Sequence, residues 1–256
     1  RSSDLMVGRE TFDFSPAARD AALDYIAATP EIRDVLITGG DPLLYPDDVV
    51  EAVLAGLREI DHVEIVRIGS RTPCTMPQRI TDALCEMLQR YHPLWLNTQF
   101  NHPKELTPEA AAACAKLADA GIPLGNQSVL MRGINYDPET MKALVRGLVE
   151  MRVRPYYIYQ CQTLSGTAHF RTPIEAGINI IKNLRGFTTG FAVPTYVLDT
   201  PYGKVPMGPQ YIVDRDEDVG LVPDAQHQVV GQLGVDRGAR RDDLHVERPD
   251  RARRVE

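Results

Sequence analysis

The chain has 256 residues, of which 43% are hydrophobic and 25% charged, proportions typical of a globular protein with one large α/β domain or two small ones. A net charge of -7 and a sequence pI near 5.4 exclude nucleic acid as the main partner, because binding to phosphates requires a basic surface. No run of about 18 apolar residues predicts a membrane span, so we expect a soluble, cytoplasmic protein.

Extended and helical stretches alternate along most of the chain. After a helix at 17–28, extended stretches are predicted at 35–38, 63–68, 94–100, 123–130, 154–160 and 191–198, and helices between them at 47–60, 77–91, 108–120, 138–151 and 173–184. Thr107 and Pro108 are typical of a helix start, and Gly121 is typical of a helix end. The alternation predicts an α/β fold with βαβ units and a parallel sheet.

A parallel sheet of this kind is either a barrel or a doubly wound sheet. No Gly-x-Gly-x-x-Gly motif opens a helix, which disfavours a dinucleotide-binding doubly wound sheet, so we predict a barrel or part of one. Polar residues also follow five successive extended stretches, at the end where barrel enzymes build their sites. These residues lie at 39–41, 70–71, 99–102, 126–128 and 160–162.

The segment 34–42 is the most informative part of the sequence. A short apolar run ends in Gly39, Gly40, Asp41 and Pro42, as in a buried parallel strand whose end meets a ligand. The glycines let the backbone approach a bound group closely, Asp41 offers an acceptor, and Pro42 ends the strand. A tight turn from strand to helix explains the same residues equally well.

The C-terminal region and the cysteines carry weaker signals. Residues 199–209 are rich in Gly and Pro and are predicted as a loop. This loop lies near the end of the expected domain, at 1–211. Residues 212–256 contain no aromatic residue and no sustained period, which predicts a disordered tail or one altered by a shifted reading frame. The four cysteines lack the spacing of a zinc, redox or iron–sulfur site and are interpreted as reduced structural thiols: Cys74, Cys85, Cys114 and Cys161.

Eight segments, taken in order, carry a resemblance to a known family: 35–41, 62–73, 95–98, 101–103, 123–128, 152–161, 169–173 and 193–195. Together they resemble the lysine 2,3-aminomutase family, which consists of radical S-adenosylmethionine (SAM) enzymes that also use pyridoxal phosphate (PLP). The resemblance covers about residues 21–213 and implies a partial (βα)6 TIM-like radical SAM barrel.

The resemblance also implies a reaction. In the family a reduced [4Fe-4S] cluster cleaves SAM to a radical, and the α-amino group of L-lysine, or of a similar cationic amino acid, moves to the β-carbon through a PLP aldimine. The chain is then part of an isomerase. Its implied partners are an amino acid substrate, an electron donor for the cluster and, at full length, further copies of itself.

Individual residues take roles from the same resemblance. The strand end at 39–41 matches the site for the amino group of SAM, Gln127 matches a glutamine in the cofactor region, and Tyr159 matches an aromatic residue near PLP. Gln99 lies where close relatives carry a histidine. Lys204 matches the lysine that carries PLP, in a loop about two residues shorter than in the family.

Substrate choice depends on two positions. Asp199 matches one of two aspartates that bind the side-chain ammonium of lysine, and the partner position is Gln162 in this chain. One carboxylate still favours a cationic side chain over an anionic one. Arginine is an alternative, because a glutamine carbonyl can accept from a guanidinium. Formation of β-lysine for protein modification, a non-catalytic remnant of the barrel, and a phosphate-binding aldolase or epimerase also remain alternatives.

The family's Cys-x-x-x-Cys-x-x-Cys loop has no counterpart in this sequence. Three thiolates are needed to hold the cluster and leave one iron for SAM. We therefore expect no metal ligands in this chain, with the cluster cysteines upstream of Arg1. The resemblance describes an N-terminally truncated fragment that lacks the first barrel strand and the cluster loop, and such a fragment is expected to be inactive.

Overall fold

A computed structural model describes residues 15–162, 166–200 and 203–208, and the backbone alone of 212–216 and 220–223. The helices are α1 (Pro16–Ala27), α2 (Asp47–Arg58), α3 (Thr72–Thr75), α4 (Asp82–Gln89), α5 (Pro108–Asp119), α6 (Pro138–Glu150) and α7 (Ile174–Leu184). The strands are β1 (Asp34–Ile37), β2 (Ile65–Gly69), β3 (Leu94–Thr98), β4 (Leu124–Leu130), β5 (Val153–Gln160), β6 (Thr195–Thr200), β7 (Gly203–Pro206), β8 (Ile212–Asp216) and β9 (Gly220–Pro223).

Seven of these strands form one sheet in the order of the chain, from β1 to β7. Strands β1 to β6 pair in parallel with their neighbours in sequence, and β7 pairs antiparallel with β6. A doubly wound sheet would reverse its strand order at a switch point, and the order here never reverses. The α/β class and the partial barrel predicted from the sequence are therefore confirmed.

The two faces of the sheet differ in burial. Most residues that face the helices are buried; Val66, Ile68 and Leu96, for example, are at most 1% exposed, and they form the core together with the helices. The alternate residues face the inner side of the curled sheet, where Leu36 is 43% exposed and Trp95 is 46% exposed. The inner face is therefore open, and it leads to the strand ends at which a site is predicted.

The predicted cap of α5 is confirmed. The Thr107 side chain accepts a hydrogen bond from the backbone N–H of Ala110 at 3.2 Å, Pro108 is the first helical residue, and Gly121 follows the helix with φ +78°. This cap satisfies one of the N–H groups that have no partner within the helix.

The predicted helix at 77–91 is wrong in its first turn. Residues Pro77–Arg79 form a 3-10 turn, and α4 starts only after Thr81, whose side chain accepts from the backbone N–H of Leu84 at 3.1 Å. The Arg79 guanidinium donates to the carbonyl of Tyr45 at 2.7 Å, which fastens the separate turn to the segment before α2.

The C-terminal region contains more strand than the sequence predicts. Within the stretch predicted as a loop, β6 continues to Thr200 and β7 returns from Gly203, whose φ is +125°. The backbones of β8 and β9 form a separate antiparallel pair within the stretch predicted to be disordered or altered by a shifted frame. The expected disorder of residues 224–256 lies outside the described residues.

Every helix in the described ranges is too short or too polar to cross a membrane.

Candidate active site

The loop after β1 leaves its main chain accessible. Gly39 has φ +107° and Gly40 has φ +56°, values that side chains other than glycine rarely adopt. Apart from the adjoining residues, no atom lies within 4 Å of the position that a Cβ would take at either glycine, and both residues are exposed. The loop therefore offers open backbone to a small polar ligand, which fits the amino acid end of SAM.

The carboxylate of Asp41 accepts hydrogen bonds from the protein itself. Its Oδ1 accepts from the hydroxyl of Ser70 at 2.6 Å and from the backbone N–H of Leu43 at 3.2 Å, and its Oδ2 accepts from the backbone N–H of Arg71 at 2.7 Å. Asp41 thus caps the 3-10 turn Pro42–Leu44 and joins the end of β1 to the end of β2.

Arg71 and Glu105 extend this connection to the end of β3. The Arg71 guanidinium donates to Glu105 Oε1 at 2.8 Å. The other carboxylate oxygen of Glu105 accepts from the backbone N–H groups of Asn101 and His102. Because Arg71 is bound through its main chain to Asp41 and through its side chain to Glu105, the loops after three strands form one hydrogen-bonded unit.

Buried amides attach the end of β3 to β4. Asn126 is 1% exposed; its Oδ1 accepts from the backbone N–H of Phe100 at 2.6 Å, and its Nδ2 donates to the Phe100 carbonyl at 3.1 Å. The Ser128 hydroxyl donates to the same carbonyl at 2.8 Å, and Asn135 donates to the carbonyl of Asn101 at 2.7 Å. Gln127, between Asn126 and Ser128, is partly buried on the opposite, inner face.

A bulge in β5 brings three tyrosines to the inner face. Asn126 pairs with Pro155 but Gln127 pairs with Tyr157, so Tyr156 is the extra residue. The rings of Tyr156 and Tyr157 stack with centroids 3.9 Å apart, and the rings of Tyr157 and Tyr159 meet edge to face at 5.6 Å. Burial raises the pKa of both Tyr157 and Tyr159, so their phenols stay neutral at physiological pH.

Lys204 lies beside these rings. Its Nζ is 5.2 Å from the ring centroid of Tyr159 and 5.5 Å from that of Tyr157, within the range of cation–π attraction. Lys204 is on β7 directly opposite Asp199 on β6, so the two side chains share one face of the hairpin. A partly buried lysine beside two neutral aromatic rings fits the attachment of an aldehyde cofactor such as PLP.

Gln162 and Asp199 are in direct contact. The Nε2 of Gln162 donates to Asp199 Oδ2 at 2.6 Å. An ionised carboxylate only accepts hydrogen bonds, so the amide nitrogen must face it and the amide oxygen of Gln162 points elsewhere. The structure thus brings together four residues singled out in the sequence, Lys204, Tyr159, Asp199 and Gln162, at the β5–β7 side of the sheet.

A buried polar group supports β6 from behind. The hydroxyl of Tyr196, which is 2% exposed, donates to Gln160 Oε1 at 2.5 Å, and Gln160 Nε2 donates to the carbonyl of Thr172 at 2.6 Å. A Cβ at Gly177 of α7 would overlap the ring of Tyr196. This packing fixes the strand that carries Asp199.

The cysteines do not form a metal site. All four are free thiols, as predicted, and Cys161 is 8% exposed. Burial raises the pKa of Cys74 and Cys85 to about 11 and that of Cys114 to about 12. No group of three or more His, Cys, Asp or Glu side chains in the described part of the chain is arranged to bind a metal, so these residues do not fit a [4Fe-4S] cluster. Cluster cysteines upstream of Arg1 stay a prediction.

Two residues of the site were missed in the sequence. Tyr157 was not distinguished from the other strand tyrosines, because only the bulge turns it inward. Glu105 was overlooked because its role depends on Arg71, which is 34 residues away. The acid that closely follows the Asn101-His102-Pro103 segment was the available signal, since it completes the capping box of the turn Pro103–Glu105.

Comparisons with known proteins identify the superfamily to which the chain belongs. A model of the radical SAM superfamily matches residues 9–145, more than half of the chain. The chain belongs to the radical SAM superfamily. A second family model, described as lysine-2,3-aminomutase, matches residues 181–224, which include the hairpin of Asp199 and Lys204. Within the superfamily the chain is therefore similar to the lysine 2,3-aminomutases, and the match extends past residue 212 into the stretch predicted to be disordered or altered by a shifted frame.

Several relatives are highly similar. The L-lysine 2,3-aminomutase of Fusobacterium nucleatum is 61% identical over 198 residues, covering 77% of this chain and 47% of that protein. The enzyme of the same name from Clostridium subterminale is 58% identical over 209 residues, covering 80% and 50%. The glutamate 2,3-aminomutase of Clostridioides difficile is 48% identical over 226 residues, covering 88% and 54%. The chain spans about half the length of these relatives.

A solved structure shows the same fold. Streptococcus suis SuiB bound to S-adenosylmethionine superposes with a TM-score of 0.56 at 13% identity, covering 75% of this chain and 45% of that protein. The family uses SAM and a [4Fe-4S] cluster, and its lysine 2,3-aminomutases also use PLP.

Proposed function

We propose that this chain forms the substrate- and PLP-binding part of a radical SAM aminomutase that moves the α-amino group of a cationic amino acid, L-lysine in the first instance, to the β-carbon. The observation that carries the proposal is the group at the β6–β7 hairpin. Lys204 lies directly opposite Asp199 and beside Tyr159, and Gln162 donates to Asp199. An amine, a carboxylate and neutral rings are the groups that PLP and a cationic side chain require.

The roles of the residues follow from their chemistry. Lys204 would hold PLP, and the rings of Tyr157 and Tyr159 would flank it and exclude water. The open backbone of Gly39 and Gly40 would receive the amino acid end of SAM. When bound, PLP supplies a π system that can accept the migrating radical, and SAM with a reduced cluster supplies the radical that removes a hydrogen.

Asp199 favours a cation at the far end of the substrate. A partly buried carboxylate attracts an ammonium and repels the side-chain carboxylate of glutamate. This argues against glutamate as the substrate, although a glutamate 2,3-aminomutase is among the relatives.

Arginine is the second candidate, and the orientation of Gln162 favours it. Because the amide nitrogen faces Asp199, the amide oxygen is directed away as an acceptor next to a carboxylate. Two adjacent acceptors suit the several N–H donors of a guanidinium better than the single point charge of an ammonium.

The test is turnover of separate substrates. The full-length protein, reconstituted with SAM, PLP and its cluster, is offered lysine, arginine or glutamate, and mass spectrometry after chiral derivatisation separates α- from β-amino acids. We expect a β-amino product from lysine or arginine and a large decrease in that turnover for Asp199→Asn. Exclusive turnover of glutamate would refute the proposal, and no turnover of any of the three with all cofactors bound would favour a non-catalytic barrel.

A further inference from the structure

Asp41 has two conceivable tasks at the SAM site, and the structure separates them. A carboxylate beside the glycine loop could bind the ammonium of SAM itself. Alternatively, it could hold the loop in the conformation in which the main chain of Gly39 and Gly40 binds the ammonium. In the first role the carboxylate needs free lone pairs for the ammonium of SAM. In the second role its lone pairs accept hydrogen bonds from the protein.

Most of the acceptor capacity of Asp41 is already used. A carboxylate offers about four lone-pair sites. Three protein donors occupy three of them: Leu43 N–H and Ser70 Oγ–H on Oδ1, and Arg71 N–H on Oδ2. Two of these donors belong to the next strand end, so the hydrogen bonds fasten one loop to another.

The glycine loop needs such an attachment. Gly39 and Gly40 have positive φ values, nothing packs where their Cβ atoms would be, and glycine has the largest conformational freedom to lose on ordering. The first fixed point after them is Asp41. Behind it, Ser70 is 4% exposed, and its Oγ also accepts from the backbone N–H of Thr72 at 3.1 Å, so the support itself is rigid.

The support continues away from the ligand. Arg71 is held by Glu105, and Glu105 is held by the main chain at the end of β3. Asp41 therefore belongs to a hydrogen-bonded network that joins the ends of β1, β2 and β3, and such a network can hold the glycine loop in one position.

We propose that Asp41 is a positioning residue: its bonds to Ser70 and Arg71 set the conformation of Gly39 and Gly40, and the main chain of these glycines binds the ammonium of SAM. This inference rests on the proposed function, because it assumes that SAM is the ligand of the loop. The inference also implies that Ser70 affects the affinity for SAM through Asp41, without contacting SAM itself.

The experiment compares two ligands and five proteins: the wild type, three variants and one control variant. Dissociation constants are measured by calorimetry on the full-length holoprotein for SAM and for an analogue with hydrogen in place of the α-amino group. The variants are Asp41→Asn, Ser70→Ala and the double variant. In Asp41→Asn an NH₂ group replaces one of the two carboxylate oxygens. It then faces either the Arg71 N–H or the donors of Leu43 and Ser70, so at least one hydrogen bond is lost in either orientation. Asp34→Asn makes the same chemical change at the other end of β1 and is the matched control.

The positioning role predicts a specific pattern. Asp41→Asn and Ser70→Ala each weaken the binding of SAM about tenfold, a loss equivalent to one charge-assisted hydrogen bond. The affinity of these variants for the analogue, and the affinity of the Asp34→Asn control for SAM, are unchanged. The double variant is no weaker than Asp41→Asn alone, because both changes break the same attachment.

Other outcomes overturn the inference. If Ser70→Ala leaves SAM binding unchanged or strengthens it while Asp41→Asn weakens it, Asp41 binds the ammonium directly. If the variants lose as much affinity for the analogue as for SAM, Asp41 and Ser70 only maintain the fold. If neither variant changes SAM binding, Asp41 has no part in the site. Failure of the wild-type protein to bind SAM would instead refute the proposed function, so the two failures are distinguishable.

Discussion

Replacement of Gly177 by alanine probes the support behind the hairpin of Asp199 and Lys204. A Cβ at this position in α7 would overlap three atoms of the Tyr196 ring, the farthest only 2.6 Å away. The ring has no room to retreat, because it is 2% exposed and its hydroxyl is bonded to Gln160. The clash must therefore move α7 or β6.

The expected change in the free energy of unfolding is the difference between two effects. Alanine in a helix interior is more stable than glycine by up to about 1 kcal/mol. Overpacking a filled core costs about 1–3 kcal/mol. The clash here is with a fixed ring, so we expect a net destabilisation of about 1–2 kcal/mol.

Gly147→Ala is the matched control, since Gly147 also lies inside a helix, α6. Its Cβ would meet Leu106 Cδ1 at 2.5 Å, the flexible tip of a partly buried side chain that can rotate away. Urea unfolding of the full-length protein, followed by circular dichroism, should give a lower midpoint for Gly177→Ala and an unchanged or higher one for Gly147→Ala. Equal shifts in the two variants would refute the argument from the ring.

Two further predictions concern the cofactor lysine and the buried thiols. Borohydride treatment of the PLP-loaded protein should fix PLP on the peptide containing Lys204, and Lys204→Ala should abolish this label while the exposed control Lys182→Ala retains it; a label found elsewhere would contradict the assignment. Unfolded thiols ionise near pH 9.0, whereas burial raises the pKa of Cys74 and Cys85 to about 11 and that of Cys114 to about 12. Above pH 9 the unfolded chain thus binds fewer protons than the folded one, and the free energy of unfolding should fall as the pH rises; a urea midpoint constant from pH 8 to 10.5 would count against this.

The sequence predicted the parts of the fold that depend on local patterns. Apolar runs and caps such as Thr107 are local signals, and they were sufficient for six parallel strands and for the choice of a barrel. The hairpin was predicted as a loop because Gly203 and Pro206 are poor strand formers. Gly203 is in fact the first residue of β7 and has a positive φ, and Pro206 lies at the end of the last strand of the sheet, where a missing N–H is tolerated.

The site was less accessible to sequence reasoning. The family resemblance implied that Gln162 and Asp199 share one part of the substrate site, but nothing in the sequence predicted the hydrogen bond between them. The inward turn of Tyr157 depends on the register between β4 and β5, and the link from Arg71 to Glu105 depends on two loops meeting. Both are long-range facts that no local pattern contains.

The hairpin has a consequence for how the site can move. Asp199 and Lys204 are direct cross-strand neighbours, so their Cβ atoms are about 5 Å apart and the pairing of β6 with β7 maintains that spacing. The glycine loop belongs to β1, at the other margin of the seven-stranded sheet. Under the proposed function, any flexing of the sheet would change the distance between substrate and SAM while leaving the spacing between cofactor lysine and side-chain carboxylate intact. Recognition of the amino acid and delivery of the radical would then be mechanically independent.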